Sequence, residues 1–129
     1  MAGTLQADTL THSTAGSIAT NYVVEGSAKA WLYAQHRTAT VEAKNSLNVS
    51  SWVDDATGRS TTNFANAMSG TDYVILVSSS YNATSGGGLA GSDEGWYVTS
   101  SQMKHDTFFG NGNFYDNDFL YNTIHGDLA

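Results

Sequence analysis

A chain of 129 residues is long enough for one domain with a real core and leaves no room for a second. Its charged share of 13% is about half the usual ~25%, and Ser, Thr, Asn and Gly fill the gap, which favours turns and solvent-facing strands. The net charge of −7 excludes a nucleic-acid backbone and a polybasic membrane anchor, and the lack of Cys excludes disulfides, thiolate metal sites and cysteine catalysis.

Residues 1–20 are small and polar, with Leu5, Leu10 and Ile18 as sparse apolar pins. They read as an extended N-terminal arm or assembly segment, and 21–129 as the domain proper. No basic start or apolar stretch marks a secretory signal. "NYVVEGSAKAWLYA" carries two β-prone runs, Tyr22–Glu25 and Lys29–Ala34, broken at Gly26-Ser27. "TATVEAK" alternates, with Ala39, Val41 and Ala43 on one side and Thr40, Glu42 and Lys44 on the other, the pattern of a half-buried strand. Leu47, Val49 and Ser51 continue on one face, Asn48, Ser50 and Trp52 on the other. Asp54 to Gly58 has turn chemistry, and β character resumes from Thr61 to Phe64.

"SGTD" at 69–72 is a further turn. "YVILV" at 73–77 reads as a central strand buried on both faces. Two long glycine-bearing loops follow, at 78–95 and 105–118, separated by the alternating "WYVTSSQMK", and "FLYNTI" at 119–124 is the last strand. No segment keeps a helical period over about 11 residues, and no apolar run nears the roughly 18 of a spanning helix. Short strands between turns at roughly 8–12-residue intervals give an all-β fold, an antiparallel β-sandwich of jelly-roll-like form. Proline is absent, so edge strands need another protection, such as partner chains.

Chemistry is sparse. Asp54 and Asp55 are adjacent, and neighbouring strand residues point to opposite faces, so they read as turn residues rather than a catalytic pair. His12, His36, His105 and His125 lack metal-binding spacing and read as structural or surface residues. Asp106, Asp116 and Asp118, with Asn111, Asn113 and Asn117, make an oxygen-rich loop of the kind calcium takes. Their spacing fits no EF-hand, and the expectation is loop filling, with no cofactor. There is no G-x-S-x-G elbow and no phosphate loop, so nothing argues for an enzyme. The loop aromatics Tyr81, Trp96, Tyr97, Phe108, Phe109, Phe114 and Tyr115 offer faces that stack on sugar rings, with Asn and Asp beside them for hydroxyls. The competing reading is that they pin the loops or fill a subunit interface.

"YVVEGSAKAWLYA", "SLNVSSWVDDATGRSTTNFANAMSGTDYVI" and "FLYNTIHGDLA" resemble a family of phage virion proteins, small tail-fibre or distal receptor-binding domains of marine-phage type. The resemblance covers roughly residues 20–80 and the last ten. The opening "GTLQADTLTHSTAGS" resembles the short leader of such proteins, implying a complete small gene product. The chain departs from the family pattern at Gln35-His36-Arg37, where a glycine turn is usual, and at Ser60 and Thr62, where an aromatic and a valine are.

The resemblance implies a homotrimeric virion appendage that contacts a host-surface glycan or protein receptor, with no catalytic residue. Trimerisation would bury Leu5, Leu10, Ile18 and Trp31 against neighbouring copies. A capsid head fibre or decoration protein, bound to other virion proteins, is the alternative. A glycan-degrading enzyme is the third reading and requires convergent carboxylates.

Overall fold

The chain forms, in order, β1 (Thr9–His12), β2 (Gly16–Ala19), α1 (Thr20–Gly26), β3 (Ala28–Gln35), β4 (Glu42–Leu47), β5 (Val49–Ala56), β6 (Arg59–Phe64), β7 (Val74–Ser80), β8 (Leu89–Ser92), β9 (Gln102–Phe108) and β10 (Phe119–His125). The computed structural model of the protein describes residues 6–37, 41–81, 89–92 and 98–129. β1 and β2 form a hairpin; the other strands form two antiparallel sheets packed as a sandwich, ordered β4-β3-β10-β7 and β5-β6-β9-β8. The central pair of the first sheet, β3 and β10, obeys a period of two. In β3, Ala30, Leu32 and Ala34 face inward and Trp31 and Tyr33 outward; in β10, Leu120, Asn122 and Ile124 face inward.

The passage from the first sheet to the second takes one residue, Asn48, which adopts φ 55°. Asparagine tolerates this left-handed conformation better than most residues. Its side chain accepts from Asn66 N at 2.7 Å and donates to Asn66 O at 3.0 Å, tying the corner to the end of β6.

Several expectations change. Tyr22–Glu25 lies in helix α1, not a strand: this segment has no sheet neighbour among the described residues, and a helix satisfies its backbone internally. α1 buries none of its residues. β4 starts at Glu42 and is the outermost strand of its sheet; Val41 and Ala43 are exposed rather than half-buried, because no described residues cover this edge on either face. Residues 38–40 lie outside the described residues.

"YVILV" supplies an edge strand, bonded to β10 alone among the described strands, with Val74 61% and Leu76 58% exposed. An unbroken apolar run looks the same whether its outer face meets protein or only other exposed apolar groups, and here it is the latter. The strand β5 runs through Asp54 and Asp55, so the turn is confined to Thr57-Gly58. The two long loops are shorter than expected, since β7 and β8 take residues from the first and β9 from the second.

The core changes character along its length. One end is apolar: Ala30, Phe64, Met68, Met103 and Ile124, with Tyr73, Ile75 and Val77 against them. Leu32, Ala34 and Leu120 continue it, flanked by Val49, Trp52 and Ala90. Thr62 and Asn122 meet across the sheets at 3.3 Å. Beyond them the inward positions are polar: His36, Ser60, His105, Thr107 and Asn117 are all buried. Asp54, Ser60 and His105 are register neighbours across three strands, and Ser60 Oγ lies 3.1 Å from His105 Nε2.

Burial pushes His105 down to about 4, with His36 adding to the shift and Asp55 opposing it. An unfolded histidine takes up its proton near ~6.5, so between about pH 6.5 and 4 the unfolded chain binds the extra proton and stability falls as pH falls. Urea denaturation is expected to show a loss on the order of 3 kcal/mol across that window, reaching its full extent below pH ~4. His105→Gln is expected to flatten that part of the profile; an unchanged slope in the variant would assign it to other groups.

Candidate functional site

The inward alternation of β3 runs one step past the strand, so His36 follows Ala30, Leu32 and Ala34 into the interior. His36 N donates to Asp118 O at 3.0 Å, which holds this end of β3 against the segment that leads into β10. The side chain of His36 is wholly buried, with Trp52 edge-on to it at 5.3 Å. Its Nε2 lies 3.2 Å from Asp54 Oδ1 and 3.6 Å from Asp116 Oδ1. Those three ligand-type atoms lie within 4.8 Å of one another. The carboxylates are about one-third exposed, 34% for Asp54 and 32% for Asp116, so a buried imidazole forms the floor of an open, acidic mouth.

Asp55 points the other way and accepts from Thr61 Oγ1. The two adjacent acids therefore lie on opposite faces, as their strand positions require. The partner of Asp54 is Asp116, 62 positions away in sequence. Ser60 Oγ bonds His105 rather than His36, so among the described residues this cluster lacks the hydroxyl–imidazole contact of a serine nucleophile.

Asp116 is brought there by the hairpin turn. Gly58 N donates to Asp116 Oδ1 and Thr107 N donates to Gly58 O at 2.7 Å. Tyr115 N donates to Thr107 O at 3.0 Å, and Thr107 Oγ1 donates to Tyr115 O at 2.6 Å. Gly58 has φ +68°, and a Cβ there would stand 2.6 Å from both Thr107 O and Tyr115 N.

The same segment carries the aromatic loop residues. Tyr81, Phe109 and Tyr115 form a three-ring cluster with centroids 5.5–5.9 Å apart. Arg37 lies over Tyr81 at 4.6 Å and Tyr115 at 5.1 Å, and pairs with Asp118 at 3.8 Å. A hydrogen bond to Tyr81 holds the Tyr115 phenol above its usual range. Phe108 and Phe114 pack at 5.0 Å, with Arg59 over Phe114 at 4.2 Å and paired to Asp106 at 3.5 Å. Each of the chain's two arginines is thus set over a ring and beside an acid.

Five of the seven aromatic candidates come together in these two groups, while Trp96 and Tyr97 lie outside the described residues. The calcium candidates separate: Asp106 faces Arg59, Asp118 faces Arg37, and only Asp116 joins the His36 cluster. Of the assembly candidates, Leu10 and Ile18 face each other across the β1–β2 hairpin, both exposed. Trp31 is on the outer face of its sheet, next to Leu47 and Thr123, and Leu5 lies outside the described residues. Sequence reasoning missed His36, Arg37, Arg59 and the convergence of Asp54 with Asp116. For His36 a signal existed, since the period of two carries the inward face of β3 straight to it.

Gly58→Ala is expected to cost at least about 2 kcal/mol, because backbone atoms rather than movable side chains occupy the space of its Cβ. Chemical denaturation measures this directly; a near-neutral variant would mean that residues 107–116 do not hold this close approach. No protein-family model, curated protein or solved structure matches the chain, so the resemblance to phage virion domains is carried by its quoted motifs alone.

Proposed function

We propose that this protein is a non-enzymatic attachment domain of a phage virion, binding a host-surface glycan or protein through the polar end of the sandwich. The observation that carries this reading is the gathering of Tyr81, Phe109 and Tyr115 under Arg37, next to Phe108 and Phe114 under Arg59. Aromatic faces stack on the apolar faces of sugar rings, and guanidinium groups held in place lose little freedom on binding carboxylated or hydroxylated ligands. Loops mounted on a rigid sandwich are also where binding residues usually sit.

Self-association belongs to the same proposal. The outer face of the β4-β3-β10-β7 sheet presents Trp31, Leu47, Tyr33, Tyr121, Leu76 and Val74, with Tyr33 and Tyr121 stacked at 5.2 Å. The β1–β2 hairpin and α1 add exposed Leu10, Ile18, Tyr22, Val23 and Val24. A two-stranded hairpin and a seven-residue helix are marginal on their own. Packing in a homotrimer gives both surfaces cover. The same apolar face also favours a second reading, a decoration protein seated on the viral shell, which capsid pull-down separates from host attachment.

The double variant Phe109→Ala, Tyr115→Ala is expected to reduce binding to host cells at least about tenfold, as loss of two well-packed rings does at an interface, while circular dichroism stays that of the parent. Undiminished binding with the fold intact would show these rings to be structural. Deleting residues 2–20 is expected to lower the assembled mass in light scattering from trimer toward monomer. An unchanged trimer would remove this segment from assembly.

A further inference from the structure

Three chain segments that are remote in sequence bring one imidazole nitrogen and two carboxylate oxygens to a single point. We infer that His36, Asp54 and Asp116 form a binding site for one first-row divalent cation, zinc or manganese, completed by solvent.

The geometry favours a central cation. Metal–ligand bonds of about 2.1 Å place neighbouring ligand atoms roughly 3.0 Å apart in octahedral sites and roughly 3.4 Å apart in tetrahedral ones. The two distances from His36 Nε2, 3.2 and 3.6 Å, lie close to that range. Hydrogen bonding alone accounts for less. A single Nε2–H can serve Asp54 at 3.2 Å, but Asp116 at 3.6 Å is beyond hydrogen-bond reach. Asp116 Oδ1 accepts from Gly58 N instead, a single neutral donor set against the mutual repulsion of two carboxylates.

Coordination through Nε2 leaves the ring proton on His36 Nδ1, which is buried with no hydrogen-bond partner among the described residues, a cost that the attraction of the ion to two carboxylates must offset. A divalent ion at the mouth balances both carboxylates and uses the Nε2 lone pair of a neutral ring. The ring itself is fully buried and aimed into the cluster, so one ligand is rigid before metal arrives. Asp116 is steadied by Gly58 N, which leaves Asp54 as the most freely adjustable ligand.

The ligand types select the ion. Calcium and magnesium prefer all-oxygen sets, whereas one imidazole with two carboxylates suits zinc, manganese and their neighbours. Three protein ligands and a solvent-facing side leave positions open for water or for an oxygen of a bound molecule. The site does not depend on the attachment reading, because metal binding is measured on the protein alone.

The test is isothermal titration of the untagged, chelator-treated full chain with zinc chloride, manganese chloride and calcium chloride. One equivalent of zinc or manganese is expected to bind, with calcium at least about tenfold weaker. Asp54→Asn and Asp116→Asn should each weaken zinc binding by more than about 100-fold, since even residues outside a coordination sphere cost up to that much. Both keep the size of the side chain, and circular dichroism confirms that they fold. Nitrogen NMR of the imidazoles should show the His36 Nε2 resonance moving on zinc addition. The inference is overturned by an absence of zinc and manganese binding, by undiminished binding in the doubly substituted chain, or by a shift confined to other histidines.

Discussion

At Gly58 the backbone of the β5–β6 hairpin runs so close to residues 107 and 115 that no side chain fits between them. Much of the polar end follows from that approach. It anchors the end of β9 and the segment after it, which together carry Phe108, Phe109, Phe114, Tyr115 and Asp116. Hydrogen bonds at both Gly58 N and Gly58 O, and the exchange between Thr107 and Tyr115, fix where those side chains point. A glycine is required twice over, by its positive φ and by the space, and it stands within the D-x-T-G motif of the chain.

The all-β architecture was legible in the sequence because period-two alternation and turn chemistry are local signals. They located β3, β6 and β10 to within a few residues. What failed was what depends on neighbours. The edge position of β7 could not be read from "YVILV", since exposure of Val74 and Leu76 reflects which strands pair, not which residues they are. Tyr22–Glu25 is helical, with no described strand paired to it. The aromatic rings were picked out by type, and the five described ones do converge. The cluster of His36, Asp54 and Asp116 was hidden because its members come from three distant segments whose meeting is set by a turn contact.

The places where this chain departs from its resemblance to phage virion domains are informative in themselves. Gln35-His36-Arg37 delivers one side chain inward to the acidic mouth and one outward over two tyrosine rings. Ser60 and Thr62 face the interior, against His105 and Asn122. The polar second strand of the hairpin is therefore part of the core. It buries hydroxyls where an ordinary sandwich buries methyl groups, and those hydroxyls have partners from the neighbouring strand and the facing sheet.

The lengthwise change in the core has a consequence for motion. Methionine, phenylalanine and isoleucine close one end, while histidines, serine and carboxylates close the other. Local opening costs least where little apolar area is uncovered and where exposed polar groups regain water. The two sheets should thus separate from the His36 end first, as a hinge whose pin lies near Met103 and Ile124. Amide protons would exchange with solvent in a graded order along the same strands, slowest beside Met103 and fastest beside His105. A cation held across β3, β5 and the 107–118 segment would then act as a clasp on the end that opens.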